Sequence, residues 1–214
     1  MRAVLEHRVG PWLNNTAPPA LAAASGALDP IARSLLAVLC RSAYVRLAGS
    51  AFVPALDDLP LPPRAWASSS LQCFRYRAGS GGCEGHEDRA LLTLIYAPGQ
   101  PGLQVQDAGG QWRDVELGPK QLLVMAGHAL EYATCGLIRS SRHWVVLEGA
   151  ERRSLAYKLA AQPGATLNLV PALQAAGHDL VAAERRYPQP ITYQQLMARF
   201  GATHRTANPA CKLR

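Results

Sequence analysis

A histidine and an aspartate that could bind a metal ion stand two residues apart, at His86 and Asp88. The apolar run Leu91–Tyr96 follows them, so we predict a β-strand over about residues 86–96. Side chains alternate along a strand with a period of two, which places His86 and Asp88 on one face and Glu87 on the other. The pattern therefore predicts an imidazole nitrogen and a carboxylate oxygen directed into one cavity.

A third ligand could come from His128 or His143. His128 follows Gly127 at a predicted turn, whereas His143 opens a predicted strand that would fix its direction, so we favour His143. Two histidines and one carboxylate form the facial triad of non-haem Fe(II) oxygenases, which leaves positions open for a co-substrate and O₂. A structural zinc site would use four protein ligands, often cysteines, and we interpret Cys83 as a bystander. Ordinary structural roles are the alternative for any histidine, and we assign them to His7, His178 and His204.

A second group of polar residues follows at Arg152 and Ser154, which share a face if they lie in a strand. A guanidinium donates two parallel hydrogen bonds to a carboxylate, and a hydroxyl can add a third. The pair would suit the distal carboxylate of a dicarboxylic keto acid, and Tyr76 could add a phenol donor. An exposed basic turn is the alternative for this segment.

The elements that must position these residues are short β-segments between about residues 69 and 159, separated by Gly and Pro turns. Such spacing predicts an antiparallel sandwich or barrel. We therefore predict three parts: a helical arm with a Pro-rich connector at 1–68, a β-core at 69–162 and a C-terminal extension at 163–214.

Helices are predicted on both sides of this core. Residues 1–28 read as a short helix or irregular arm, and Asp29-Pro30 predicts the N-cap and first residue of a helix over about residues 30–47. A closing helix is expected near Ile191–Phe200, with Thr192 as its N-cap.

Composition limits the classes of function. The net charge is +7, but the arginines are scattered and no recognition helix or RNA-binding motif is evident, so we expect no nucleic-acid partner. We expect no apolar run that reaches the roughly 20 residues of a membrane span, and hence no membrane partner. Five cysteines without a C-x-x-C pair favour reduced thiols, so we predict a cytoplasmic protein. We also expect a monomer that acts on a small molecule. The Ala-rich, acid-poor residues 1–28 leave an organelle-targeting segment open.

The ordered set of motifs resembles a known family. His-x-Asp, a gap, a distal His and Arg-x-Ser are similar to the core of Fe(II)- and 2-oxoglutarate-dependent dioxygenases of the isopenicillin N synthase-like type. The resemblance covers residues 71–159. Intermediate positions also match, namely Leu91–Leu94, Gly102–Val105, Trp112, Val115, Gly127, Leu130, Gly136 and Ser140.

The resemblance implies a mainly β fold with flanking helices, a double-stranded β-helix or jelly roll. It implies that His86, Asp88 and His143 bind Fe(II) and that Arg152, Ser154 and Tyr76 contact 2-oxoglutarate. The expected activity is the hydroxylation or desaturation of a small organic molecule with O₂, releasing succinate and CO₂.

Several positions depart from the family pattern. Phe74 and Arg77 stand where Asn and Pro are usual, and Trp144 and His128 replace a common Arg and Asp. The loop between Tyr76 and His86 and the N-terminal region are also short. The short N-terminal region keeps a second hypothesis open, a non-catalytic jelly-roll binding module or a truncated inactive relative. A third, a basic nucleic-acid-binding protein, rests on charge alone.

Overall fold

The computed structural model describes residues 2–8, 19–59, 67–78, 82–147 and 151–207. The α-helices are α1 Pro19–Arg41, α2 His128–Ala133, α3 Val170–Ala175, α4 Val181–Arg186 and α5 Tyr193–Ala207. The strands are β1 Arg2–Arg8, β2 Ser70–Tyr76, β3 Cys83–His86, β4 Leu92–Tyr96, β5 Leu103–Gln106, β6 Trp112–Asp114, β7 Leu123–Ala126, β8 His143–Val145, β9 Arg152–Leu159, β10 Thr166–Leu167 and β11 Ile191–Thr192.

Two antiparallel sheets form the core. The major sheet has the order β1-β2-β9-β4-β7, and the minor sheet has the order β3-β8-β5-β6. The chain alternates between them, since β2, β4, β7 and β9 belong to the major sheet and β3, β5, β6 and β8 to the minor one. This is the jelly-roll arrangement that we predicted, and it encloses one cavity between the inner faces of the sheets.

The major sheet is buried on both faces, as strand β9 illustrates. Tyr157 and Leu159 are fully buried in the cluster that includes residues of α1, whereas Ala156 belongs to a second cluster between the sheets. Strand β4 divides in the same way, with Leu94 in the first cluster and Ile95 in the second. Burial on both faces explains why β4 reads as a nearly continuous apolar run.

Helix α1 starts earlier than we predicted. It begins at Pro19 and runs through Pro30, so the predicted N-cap at Asp29 was wrong. Residues 20–24 are mostly alanine, which has the highest helix propensity. We infer that this propensity lets the helix continue through Pro30, although the proline removes one backbone hydrogen bond. Asp29 is instead buried in the helix interior, where its carboxylate accepts hydrogen bonds from Arg33 and Tyr157.

The N-terminal arm also differs from the prediction. Residues 2–8 form strand β1, which pairs antiparallel with β2 at the edge of the major sheet. Contrary to our expectation, helix α1 is long and apolar enough to cross a membrane. Core helices of soluble proteins can have the same length and composition. One face of α1 packs on the major sheet through Ala32, Leu36 and Cys40.

The predicted strand over residues 86–96 is two strands. β3 ends at His86 and β4 begins at Leu92, so Asp88 lies in the loop between them and not on a strand. The predicted boundaries at 1–68, 69–162 and 163–214 remain a prediction. Part of the Pro-rich connector, residues 60–66, lies outside the described residues.

The C-terminal segment packs against helix α2. Tyr187 donates its hydroxyl to Glu131, and the Gln189 side chain donates to the Tyr132 and Ala133 carbonyls near the helix end. The closing helix α5 has Thr192 as its N-cap, as predicted, because Gln195 N donates to Thr192 Oγ1 at 3.2 Å. The Gln195 side chain accepts from Thr192 N in return, which makes a capping box.

Candidate metal centre and its cavity

Strand pairing brings the two predicted histidine ligands together. His86 ends β3 and lies opposite His143 in β8, so both side chains stand on the same face of the minor sheet. Their ring centroids are 4.4 Å apart. The loop after β3 then places Asp88 beside them, and one ligand atom from each of the three residues lies within 4.8 Å of the others.

Backbone carbonyls orient both imidazoles. His86 Nδ1 lies 2.8 Å from the carbonyl oxygen of Glu84, and His143 Nδ1 lies 3.1 Å from that of Ser141. A carbonyl can only accept, so each Nδ1 donates a hydrogen bond, and in the neutral imidazole the lone pair is then on Nε2. Both Nε2 atoms face the Asp88 carboxylate, at 3.8 Å for His86 and 4.0 Å for His143. Two fixed nitrogen lone pairs and a carboxylate form a set of donors suited to a divalent metal.

Asp88 is buried and ionised. Its Oδ1 accepts from Lys158 Nζ at 2.6 Å, and its Oδ2 accepts from Thr93 Oγ1 at 2.7 Å. Burial by itself raises the pKa of the carboxyl, but the charges of Lys158 and His143 and both hydrogen bonds outweigh it, so the pKa is lowered. Each carboxylate oxygen has a second lone pair, so metal binding and these hydrogen bonds are compatible.

The environments of the two histidines differ. Burial lowers the pKa of His143, which is 5% exposed, and thereby favours the neutral imidazole that binds metals. The pKa of His86 is raised, chiefly by its contact with the Cys83 thiol at 3.8 Å and against the effect of burial. Cys83, which we interpreted as a bystander, also lines the cavity.

The cavity beside the three residues has a volume of about 420 Å³. Both sheets contribute to its walls, and the predicted residues Tyr76, Arg152 and Ser154 line it together with the three candidate metal ligands. Tyr76 and Arg152 are paired across β2 and β9, and both are buried. Arg152 and Ser154 share the inner face of β9, as the alternation predicted, so the alternative of an exposed basic turn was wrong for Arg152.

One edge of the Arg152 guanidinium lacks a protein acceptor. Its Nη1 donates to the carbonyl oxygens of Gln100, at 2.6 Å, and Pro101, at 2.8 Å. Its Nε is buried and has no hydrogen-bond partner among the described residues. Arg152 is only 1% exposed, so its unsatisfied donor is costly unless a ligand accepts from it. A carboxylate entering the cavity could do so.

The other histidine considered as a ligand lies outside this cluster. His128 is the first residue of α2, and its Nε2 lies 2.6 Å from Glu87 Oε2. Its ring stacks on Phe200, with centroids 4.6 Å apart. Glu87 therefore points away from Asp88, as predicted, and His128 contacts that side of the loop.

Sequence reasoning missed two residues of the site, Thr93 and Lys158. Lys158 shares the inner face of β9 with Arg152 and Ser154, so the same alternation could have found it. Thr93 gave no comparable signal, because its contact with Asp88 depends on how the loop between β3 and β4 folds back.

Comparisons with known proteins cover the same part of the chain. Residues 69–161 match the family described as the 2OG-Fe(II) oxygenase superfamily. The 2-oxoglutarate-dependent dioxygenase 19 of Oryza sativa subsp. japonica is 35% identical over 81 residues, which are 38% of this chain and 24% of that protein. Gibberellin 2-beta-dioxygenase 4 of Arabidopsis thaliana is 37% identical over 73 residues, 34% of this chain and 23% of that protein.

A solved structure extends the likeness in fold. The full-length Neurospora crassa protein in complex with alpha-KG superposes with a TM-score of 0.74 at 17% identity, covering 94% of this chain and 66% of that one. The sequence matches, in contrast, span only about a quarter of the length of the curated relatives.

Proposed function

We propose that this chain is an Fe(II)- and 2-oxoglutarate-dependent dioxygenase of the 2OG-Fe(II) oxygenase superfamily, the family that residues 69–161 match. The reaction oxidises a small organic molecule, by hydroxylation or desaturation, and converts 2-oxoglutarate and O₂ into succinate and CO₂. The observation that carries this proposal is the convergence of His86, Asp88 and His143 within 4.8 Å beside the cavity.

In this proposal His86, Asp88 and His143 hold the Fe(II). When bound, the metal supplies the site where 2-oxoglutarate and O₂ react. The chain contributes two imidazoles whose orientation is fixed by backbone carbonyls and an ionised carboxylate, so little has to reorganise when the metal binds. Three protein ligands leave coordination positions for the co-substrate.

Arg152, Ser154 and Tyr76 orient 2-oxoglutarate. The Nε of Arg152, which has no partner in the described part of the chain, donates to the distal carboxylate, and the contacts with the Gln100 and Pro101 carbonyls hold the guanidinium plane. The Ser154 and Tyr76 hydroxyls lie in the same cavity wall and add donors. A carboxylate held by a guanidinium and hydroxyls is fixed in both position and orientation.

Apolar side chains limit water around the reacting groups. Leu103, Ile95 and Val145 line the cavity and are all buried. A low local dielectric strengthens the charge interactions of Arg152 and Asp88 with their ligands. The chain's part in catalysis is therefore positioning and exclusion of solvent.

The alternative, a non-catalytic binding module or inactive relative, finds no support in the site. The three candidate ligands and Arg152 are all present, and each faces the same cavity. The residues that depart from the family pattern are not metal ligands: Trp144, for example, stacks on Trp112 with ring centroids 4.2 Å apart.

The remaining features of the proposal concern the cellular setting. We propose a cytoplasmic monomer that acts on a small molecule, without a nucleic-acid or membrane partner. Free thiols at Cys40, Cys73, Cys83 and Cys135 support a reducing compartment. Light scattering of the purified chain at several concentrations tests the monomer, and a concentration-dependent mass contradicts it.

Succinate release tests the activity. The purified chain is incubated with Fe(II), ascorbate, 2-oxoglutarate and a panel of small molecules, and His143→Ala is compared with His178→Ala. His178 lies outside the cavity, where its Nε2 contacts the Val45 carbonyl, so that variant should keep its activity. Loss of succinate release in His143→Ala alone supports the proposal. Equal release by His143→Ala and the wild type refutes the metal site.

A further inference from the structure

The cavity has a second cationic side chain besides Arg152, namely that of Lys158. Both residues lie on the inner face of β9 and line the cavity together with Ser154. Arg152 has a partner in the proposed reaction, the distal carboxylate of 2-oxoglutarate. The hydrogen bond from Lys158 to Asp88 places the second cation at the other end of the cavity, beside the candidate metal ligands.

Neighbouring strands hold the Asp88 carboxylate from both sides. Lys158 in β9 pairs with Thr93 in β4 and with Ser70 in β2. Lys158 Nζ lies 2.6 Å from Asp88 Oδ1, and Thr93 Oγ1 donates to Asp88 Oδ2 at 2.7 Å. The ammonium is therefore fixed next to the carboxylate that would bind the metal.

The ammonium of Lys158 can bind a further anion without losing Asp88. An ammonium group carries three N–H donors, and Asp88 takes one of them. The Lys158 side chain lines the cavity and is 24% exposed, so its other donors are accessible from the cavity. Each oxygen of Asp88 also keeps a lone pair for a metal, so metal binding leaves this hydrogen bond in place.

The position of Lys158 favours an anion that is bound to the same metal as Asp88. Three facial protein ligands leave three open positions, and any two of them include at least one next to the carboxylate ligand. A keto acid that binds through its keto oxygen and its near carboxylate therefore places one of these groups beside Asp88. If the carboxylate takes this place, it faces the negative charge of Asp88, and the adjacent ammonium offsets the repulsion.

Arg152 is too far along the strand to bind the same carboxylate. Six residues separate it from Lys158, which is about 20 Å between their Cα atoms at the rise of a strand. Two side chains that begin so far apart bind opposite ends of a ligand, and a dicarboxylic keto acid has a carboxylate for each of them.

We propose that Lys158 is a binding residue for 2-oxoglutarate, which donates a hydrogen bond to the carboxylate at the metal end and keeps its contact with Asp88. Each carboxylate of the co-substrate then has its own cation, and the ammonium favours the orientation in which the near carboxylate lies beside Asp88. This inference rests on the proposed function, because it adds a contact within the same co-substrate site.

Two keto acids separate the roles of the two cations. 2-Oxopentanoate has the carbon chain of 2-oxoglutarate but a methyl group in place of the distal carboxylate. Calorimetry with Mn(II) first gives the metal affinity of each variant. The full chain is then saturated anaerobically with Fe(II), and each keto acid is titrated by the visible charge-transfer band that it forms. No turnover is needed.

The variants are Lys158→Met, Lys158→Gln and Arg152→Lys, with Lys120→Met as a control that removes the same charge from an exposed loop. Lys158→Met and Lys158→Gln should bind both keto acids about tenfold or more weakly than the wild type and Lys120→Met do, as expected for the loss of a charge-assisted hydrogen bond. Arg152→Lys should weaken the binding of 2-oxoglutarate alone. Denaturation curves confirm that each variant is folded.

If both neutral variants bind 2-oxoglutarate as tightly as the wild type once Fe(II) is saturating, Lys158 only holds Asp88 and the inference is wrong. A loss confined to 2-oxoglutarate, or a wild type that does not bind 2-oxopentanoate, also contradicts it, because the distal carboxylate would then account for the binding. These results leave the proposed function standing. A missing charge-transfer band with 2-oxoglutarate in the wild type overturns the proposed function, and the inference with it.

Discussion

Tyr157 donates its hydroxyl to the Asp29 carboxylate across 2.5 Å, and this hydrogen bond joins strand β9 to helix α1 behind the cavity. Arg33 donates to the other oxygen of Asp29 at 2.7 Å and also reaches the Asp57 carbonyl. Burial, together with the hydrogen bond to Asp29, raises the pKa of Tyr157, so the phenol stays protonated and remains a donor. The strand that carries Arg152 is thus fixed to the helix by a buried polar network.

Replacing Tyr157 by Phe should destabilise the fold. The substitution leaves an oxygen of the buried Asp29 without its donor, at a cost of about 1–3 kcal/mol. Urea denaturation followed by circular dichroism measures the change. Tyr96→Phe is the matched control, because the Tyr96 hydroxyl donates to Pro119 at an exposed position. If Tyr157→Phe and Tyr96→Phe lower the free energy of unfolding by similar amounts, the buried contact with Asp29 stabilises the fold no more than the exposed one does.

Arg152→Lys should weaken 2-oxoglutarate binding by about 10- to 100-fold, because an ammonium keeps the charge but cannot present two parallel donors. Titration of the anaerobic Fe(II) complex measures the affinity. Arg153→Lys is the control, since Arg153 is exposed on the same strand and pairs with Glu151. A denaturation curve for Arg152→Lys confirms that the variant is folded. Unchanged affinity in that variant would remove Arg152 from the co-substrate site.

Gly127→Ala should disturb the loop that carries Asp88. A Cβ at this position would lie 2.1 Å from the Ala90 carbonyl oxygen and 2.8 Å from that of Asp88, and both are backbone atoms that cannot move cheaply. We expect a loss of about 1–3 kcal/mol in the free energy of unfolding, together with weaker binding of Mn(II). Gly164→Ala is the control, because nothing lies within 4 Å of its added Cβ. If Gly127→Ala binds Mn(II) as tightly as the wild type, the packing of Gly127 against the loop does not determine the position of Asp88.

The contact between α2 and the C-terminal segment should depend on pH. Glu131 accepts hydrogen bonds from Ser140 Oγ at 2.5 Å and Tyr187 at 2.6 Å. Burial raises the pKa of Glu131, but these hydrogen bonds outweigh it and hold the pKa below its ordinary 4.5. Burial, together with the same contact, raises the pKa of Tyr187 to about 12.

Because the folded pKa of Glu131 is depressed, its contribution is complete above the unfolded pKa and is lost as the pH falls through the folded value. The difference in unfolding free energy between the wild type and Glu131→Gln should therefore be constant from about pH 7 to about pH 5.5 and shrink at lower pH. Urea denaturation at a series of pH values measures this difference, with the exposed Glu116→Gln as a control. A difference that does not vary with pH would argue against an ionised Glu131 in the contact.

Strand alternation was sufficient to predict which residues of β9 face the cavity, because a period of two determines the face once a strand exists. The same rule placed His86 and Asp88 together for the wrong reason. Asp88 reaches the cluster through a loop whose backbone is held by His128 N at 2.8 Å, and this long-range hydrogen bond has no sequence signal.

Other differences arise where tertiary packing overrides a local preference. Pro30 suggested a helix start, but alanines before it and the buried Asp29 contacts favour one continuous helix. Predicting the Lys158–Asp88 pair would have required both the register of β9 against β4 and the path of the β3–β4 loop. Local patterns determine faces, whereas contacts between distant segments depend on pairings that a single sequence does not state.

Strand β1 covers one edge of the major sheet by pairing with β2 from Arg2↔Tyr76 to Arg8↔Ser70. A version of the chain shortened by these residues would present seven unshielded backbone positions, and such an edge recruits strands from other copies. Because Tyr76 belongs to that strand, self-association at this edge and distortion of the co-substrate pocket would arise together.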